Sequence, residues 1–203
     1  GDQPGKKGKS KKSKDGKPEH DPEIEIKWKV ENEDDDELSY ELWFAQEGTQ
    51  QWIAMLEEGQ ILTKTQFEWD TTSVPAGYYV VKLRATDLGV NDPKLALSHE
   101  LVSRSFVVDN DPPQVTLTAK GGKAEATFSG KVEDDFSEIS HIEISIDGDP
   151  FQTLFPEDLI LDEAKESYQH EAKDLEPGPH TVTVRAYDRN GNATSAGAHF
   201  TVQ

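Results

Sequence analysis

The chain has 203 residues, which suits two domains of ordinary size, and 40 acidic against 21 basic residues give it a net charge of −19. It contains no cysteine, which excludes disulfides, cysteine nucleophiles and thiolate metal sites. We expect no membrane insertion, since no apolar run approaches the roughly 20 residues of a membrane span.

The charge is divided unevenly along the chain. Residues 1–22 carry +3, whereas residues 23–110 and 111–203 carry −11 each. Because both acidic parts repel phosphate backbones, nucleic acid is excluded as a partner of the folded domains.

Residues 1–22 are lysine-rich and almost free of apolar side chains. This composition predicts a flexible tail or a loop insertion, because too little apolar surface is available to offset the entropy of ordering. The alternative is a basic patch that holds an anionic partner. The segment has no hydrophobic leader, and the start at Gly1 suggests a piece of a longer protein.

Residues 23–110 show the two-residue alternation of half-buried strands. The first has Ile24, Ile26, Trp28 and Val30 on its buried face. An acidic loop, 31–37, follows, and 88–102 is predicted to be a loop, with 95–97 left open between a helical turn and a strand. The remaining predicted strands are 38–44, 51–56, 66–69, 77–86 and 103–108.

Residues 109–113 read Asp-Asn-Asp-Pro-Pro and predict a short, stiff domain boundary, since two prolines fix two φ angles. Alternation then resumes. The Asp147-Gly148 pair predicts a hairpin turn, and Pro150 places the returning strand at a sheet edge. The predicted strands are 115–119, 124–132, 142–146, 167–172, 181–186 and 198–202.

One string occurs twice, as Gly77 to Asp87 and as Gly178 to Asp188, 101 residues apart. A period near 100 residues indicates a β-sandwich module used twice. The sequence therefore predicts an all-β chain of two tandem Ig-like antiparallel β-sandwiches, 23–110 and 111–203, after the tail 1–22.

The first module resembles a fibronectin type III domain. The resemblance is carried by Trp28 in an early strand, by Tyr79 two residues after the turn glycine Gly77, and by the alternation into Ala85. The second module resembles a bacterial Ig-like domain, through the strings 146–151 and 177–192. Such modules are found near the C-terminus of large exported bacterial proteins, often beside β-propeller repeats.

The sequence departs from the family pattern at two places. The first strand of module one is missing from the residues before Ile24; either the chain lacks it or the tail is a loop inserted after it. His180 stands where the family has tyrosine, and we expect it partly buried at the sandwich corner, bonded to backbone.

Catalytic signatures are missing. The six histidines make no zinc-protease spacing, and there is no Gly-x-Ser-x-Gly motif or glycine-rich phosphate loop. We therefore expect a chain that is not an enzyme and has no cofactor beyond a structural calcium ion.

That calcium hypothesis rests on loop acids. In the resembled fold, the linker between the modules arrives at the end of the second sandwich that carries the B–C and F–G loops. The carboxylate and amide oxygens of the linker and of these loops are the ligands that Ca²⁺ prefers. The linker loosely resembles that of cadherins, without the cadherin Asp-Arg-Glu element; the alternative is a set of solvated acids. The candidate ligands are Asp109, Asn110, Asp111, Asp134, Asp135 and Asp188.

Trp43 is the second candidate site. Alternation points it away from the face that holds Leu42 and Phe44, and Tyr78 lies on a neighbouring strand. The pair predicts a binding platform for a sugar or a protein. The alternative is that Trp43 packs beneath residues 88–102 or contacts a neighbouring domain.

The sequence predicts a non-catalytic spacer and interaction module, and the resemblance implies that it belongs to an exported or cell-surface bacterial protein, located outside the cell or in the periplasm. Its partners would be neighbouring domains of a longer chain. The alternative function is a carbohydrate- or protein-binding module that uses the face around Trp43.

Overall fold

A computed structural model describes residues 17–31, 37–87 and 96–203, together with the backbone of 5–6 and 11–12. It forms two compact units. The described residues of the first are 5–6, 22–31, 37–87 and 96–108, and those of the second are 11–12, 17–21 and 109–203. The described residues include no helix long and apolar enough to cross a membrane.

The strands in chain order are β1 (Gly5–Lys6), β2 (Lys11–Lys12), β3 (Pro18–Glu19), β4 (Glu23–Lys27), β5 (Ser39–Gln46), β6 (Ile53–Ala54), β7 (Gln66–Asp70), β8 (Gly77–Thr86), β9 (Ser98–Val102), β10 (Phe106–Val108), β11 (Gln114–Val115), β12 (Thr118–Gly121), β13 (Glu125–Glu133), β14 (Ile139–Ile146), β15 (Gln152–Thr153), β16 (Lys165–Lys173), β17 (Gly178–Asp188) and β18 (Ala193–Val202).

The first unit is a sandwich of two antiparallel sheets. One has the order β1-β4-β7; the other has the order β10-β8-β5-β6, and β9 also pairs with β8. The inner faces meet in a core with Trp28 and Trp69 at 5% and 6% exposure. The prediction of an all-β sandwich is confirmed here.

The second unit repeats this plan. One sheet has the order β11-β13-β12, with β16 pairing β13, and the other has the order β15-β14-β17-β18. A separate apolar cluster around Phe128 and Ile142, both at 0% exposure, fills the space between the sheets. The edge position predicted for the strand after Pro150 is confirmed, since β15 is the outermost strand of its sheet among the described residues and pairs there with β14.

Several predicted strand limits are wrong. Val30 is 37% exposed, because the ladder of β4 ends at Lys27. The strand predicted at 51–56 contains only Ile53–Ala54, since a turn at 57–60 takes the chain off the sheet edge. Ser98–Val102 is a strand that pairs with β8, whereas 88–95 and 32–36 lie outside the described residues.

The sequence left open whether module one lacks its first strand or has the lysine-rich residues inserted after it. β1 pairs antiparallel with β4, with Gly5 opposite Lys27, which favours the second alternative. Residues 17–21, which belong to the predicted flexible tail or loop, are part of the second unit.

The two repeated strings are β8 and β17, and each is anchored by a side chain at the same place. The Tyr79 hydroxyl donates to the carbonyl of Pro75 at 2.9 Å. His180 Nε2 lies 2.7 Å from the carbonyl of Glu176, again four residues earlier, and must donate because a carbonyl only accepts. The predicted backbone bond of His180 is confirmed.

The histidine corner carries charge that the tyrosine corner lacks. His180 Nδ1 lies 2.6 Å from Asp147 Oδ2, and Asp147 Oδ1 accepts from the Thr181 N–H at 2.8 Å. The Asp147 bond raises the pKa of His180 above its ordinary 6.5, helped by the Glu176 carbonyl. The bonds from His180 and Thr181 hold the pKa of Asp147 below its ordinary 3.8.

This pair stabilises the fold over a limited pH window. The contribution of His180 is complete below 6.5 and is lost as the pH rises through the raised pKa, whereas that of Asp147 is lost as the pH falls below 3.8. We predict that the melting temperature of the wild type falls relative to that of His180→Tyr as the pH rises from about 5.5 to about 9. Thermal unfolding followed by circular dichroism measures this. A difference that is constant with pH contradicts the charged pair.

Candidate functional site

Three aspartates converge at one end of the second sandwich. Asp109 precedes β11, Asp134 follows β13, and Asp188 is the last residue of β17. One carboxylate oxygen from each lies within 4.8 Å of the others, and the residues are 6%, 8% and 0% exposed. We call these three residues the aspartate cluster.

Ser137 and the backbone after β13 hold the first two carboxylates. Asp134 Oδ1 accepts from the N–H groups of Phe136 at 2.8 Å and Ser137 at 2.7 Å, which fixes a tight turn. The Ser137 hydroxyl donates to Asp109 Oδ2. Asn190 donates from its amide to the same Asp109 oxygen at 3.2 Å and to the Ser137 hydroxyl oxygen at 2.8 Å.

Asn192 links the carboxylate of Asp188 to the backbone of Asp109. Its backbone N–H donates to Asp188 Oδ1 at 2.8 Å, and its side-chain amide donates to Asp188 Oδ2 at 2.7 Å. The same amide also donates to the backbone carbonyl of Asp109 at 3.1 Å. Ser137 and Asn192 were not among the predicted site residues, although the spacings Asp134-x-x-Ser137 and Asp188-x-x-x-Asn192 mark such turns.

The aspartate cluster carries concentrated negative charge. Burial raises the pKa of Asp188 to about 6, and the nearby charges of Asp109 and Asp134 act in the same direction. Burial also raises the pKa of Asp134, with Asp109 and the exposed Asp135 adding to it. In the described part of the chain, no salt bridge involves any of the three.

The remaining predicted ligands lie around the cluster. Asn110 is half-buried, and Asp111 and Asp135 are exposed. The Asp111 N–H donates to Asp109 Oδ1 at 3.2 Å. Asp111, Glu133, Asp134 and Asp135 line a cleft of about 250 Å³ together with Pro112, Gln114 and Phe136. The structure thus brings three of the six predicted ligands into one buried cluster beside an acidic cleft.

The second predicted site, on the first unit, is less open than expected. Trp43 is half-buried, and the ammonium of Lys82 lies 4.8 Å from the centre of its ring and 4.8 Å from that of Trp52. Tyr78 is 49% exposed. Lys82 is opposite Trp43 in the sheet, and Tyr78 is four residues earlier, so the two aromatic residues are about 13 Å apart along the strand.

The solved structures that resemble this chain include two of fibronectin type III modules. One is the crystal structure of chicken CNTN1 FN1-FN3 domains, at 16% identity and a TM-score of 0.33, covering 90% of this chain and 64% of that one. The other is of Clostridium thermocellum CbhA fibronectin(III)-like modules, at 18% identity and a TM-score of 0.38, covering 91% and 87%. No family model and no curated protein matches the chain.

The hydrogen bonds of Asn192 predict its contribution to stability. Replacing Asn192 by Ala leaves the Asp188 carboxylate buried without its amide donor. We expect the free energy of unfolding to fall by about 1–3 kcal/mol. Urea unfolding measures the change.

The control is Ser195→Ala, an exposed residue on β18, the strand that begins directly after Asn192, which should change the free energy by no more than about 0.5 kcal/mol. Equal effects of the two substitutions would contradict the assigned role of Asn192.

Proposed function

We propose that this chain is a non-catalytic structural and interaction module of an exported or cell-surface bacterial protein, which holds neighbouring domains of a longer chain. The observation that supports it most is that side chains of catalytic type have structural roles. His180 anchors a corner, and Asp134 and Asp188 fix loop turns through their hydrogen bonds. Each unit also has its own apolar core.

A spacer must resist bending at its joint. Pro112 and Pro113 have restricted φ angles, and the β ladders of each unit resist deformation. Because the chain has no cysteine, cysteines introduced at the exposed positions Glu68 and Lys173 can carry spin labels without competing sites.

We predict a narrow distance distribution between these labels in the wild type. Replacing Pro112 and Pro113 together by Gly should broaden it, since glycine has the widest choice of backbone conformations. Pulsed electron paramagnetic resonance measures the distribution. A wild-type distribution as broad as that of the double substitution would reject the rigid spacer.

A structural calcium ion is a further part of this proposal. The aspartate cluster offers three carboxylates within 4.8 Å of one another, already held by Ser137, Asn190 and Asn192. Calcium takes six to eight oxygen ligands, and hydrogen-bonded carboxylates are the usual kind. A bound Ca²⁺ would offset the mutual repulsion of the buried charges.

We predict that millimolar Ca²⁺ raises the melting temperature of the wild type and that EDTA reverses the rise. Asp188→Asn should abolish the response, because it removes a charged ligand from the centre of the cluster. The exposed Asp149→Asn in the same unit should keep it. Identical melting curves in Ca²⁺ and in EDTA would show that the cluster holds no calcium.

The alternative function is binding of a carbohydrate or a protein by the face around Trp43. The favouring observation is the pair of indoles, Trp43 and Trp52, whose ring centres both lie 4.8 Å from the Lys82 ammonium. Trp43→Ala should abolish binding on a glycan array or to a surface protein while the circular dichroism spectrum stays unchanged. Binding that survives the substitution would exclude this face.

A further inference from the structure

Glu143 is a charged residue buried on the outer face of a sheet. Its neighbours Ile142 and Ile144 on β14 point into the core, so alternation directs Glu143 away from the core toward solvent. It is nevertheless only 1% exposed. A buried carboxylate is tolerated only where charged or polar partners offset its lost hydration.

The positive partner closest to Glu143 comes from the segment before β4. Lys17 Nζ lies 2.5 Å from Glu143 Oε2 and 5.7 Å from the centre of the Tyr187 ring. On the other carboxylate oxygen, the Tyr187 hydroxyl donates at 3.3 Å and Arg185 is 3.5 Å away. His141 Nε2 lies 3.6 Å from Oε2.

A second contact holds the same segment, independently of charge. Gly191 has a φ of +84°, and a Cβ added there would lie 2.4 Å from both the carbonyl carbon of Glu19 and the nitrogen of His20. The backbone of 19–20 therefore packs directly on this glycine. A short ladder, with Lys12 opposite Pro18, continues the segment into β2.

We propose that the outer face of β14 and β17 is a docking site for an extended lysine-bearing segment, and that residues 17–20 of this chain, the strap, are its occupant. The site consists of a buried carboxylate for the ammonium, an aromatic ring beside it, and a glycine that admits backbone. This role differs from that of a free basic arm for anionic partners, because the strap is bound through its charge.

The first test removes the ammonium in the full chain. Burial holds the pKa of His141 below its ordinary value against the opposing charge of Glu143, and the Lys17 charge lowers the pKa further. Lys17→Met should therefore raise the pKa of His141, read by NMR titration, and lower the amide-exchange protection of Glu19 and His20 by about tenfold or more.

The matched control is Lys173→Met, an exposed lysine on β16 of the other sheet, which should change neither quantity. An unchanged His141 titration in Lys17→Met would overturn the proposal, even if the melting temperature falls, because it would show that the ammonium does not rest beside Glu143.

The second test uses two glycines with the same backbone requirement. Gly191 and Gly148 have φ values of +84° and +81°, but no atom of the described residues lies within 4 Å of a Cβ at Gly148. Gly191→Ala and Gly148→Ala both strain a turn. A loss of amide protection at Glu19 and His20 that occurs in Gly191→Ala alone therefore shows that the strap packs on Gly191. Equal protection in the two variants would contradict close packing on Gly191.

Discussion

The constraint that organises the second sandwich is the burial of carboxylates, each of which needs a partner for its lost hydration. Glu166, at 4% exposure, accepts backbone N–H groups from Asp162 and Glu163. Glu143 has the Lys17 ammonium. The aspartate cluster has hydrogen-bond donors but three like charges, which is why a divalent cation completes our account of it. One requirement thus explains a loop, a strap and a candidate calcium site.

The repeated string shows how one framework accepts different chemistry. Both copies anchor the start of a strand to a carbonyl four residues earlier, through Tyr79 in one and His180 in the other. The closing aspartates differ as well. Asp87 accepts the Leu97 N–H at 2.7 Å, whereas Asp188 is a member of the aspartate cluster. The second copy has an ionisable side chain at both ends of its strand, His180 at the start and Asp188 at the end.

Sequence reasoning recovers features that are local or set by topology. Alternation locates β5, β8 and β17 because one face of each strand is directed toward solvent. The loop order of the fold brings Asp134 and Asp188 to the same end of the second sandwich. It misses the strap, because Lys17 and Glu143 are 126 residues apart and alternation predicts an exposed Glu143. It also overestimates the length of β6, because the pairing of β6 with β5 is ended by a turn and not by a change in composition.

The central claim is that Glu143 and the aspartate cluster, both buried in the second sandwich, are compensated by positive charge. A crystal structure of the chain grown with calcium chloride tests it most directly. Our account predicts an ion between Asp109, Asp134 and Asp188 with oxygen distances of about 2.3–2.6 Å, and the Lys17 ammonium in contact with Glu143 in the same map. Carboxyl groups of the cluster hydrogen-bonded to one another with no ion between them, and a Lys17 side chain in solvent, would contradict it.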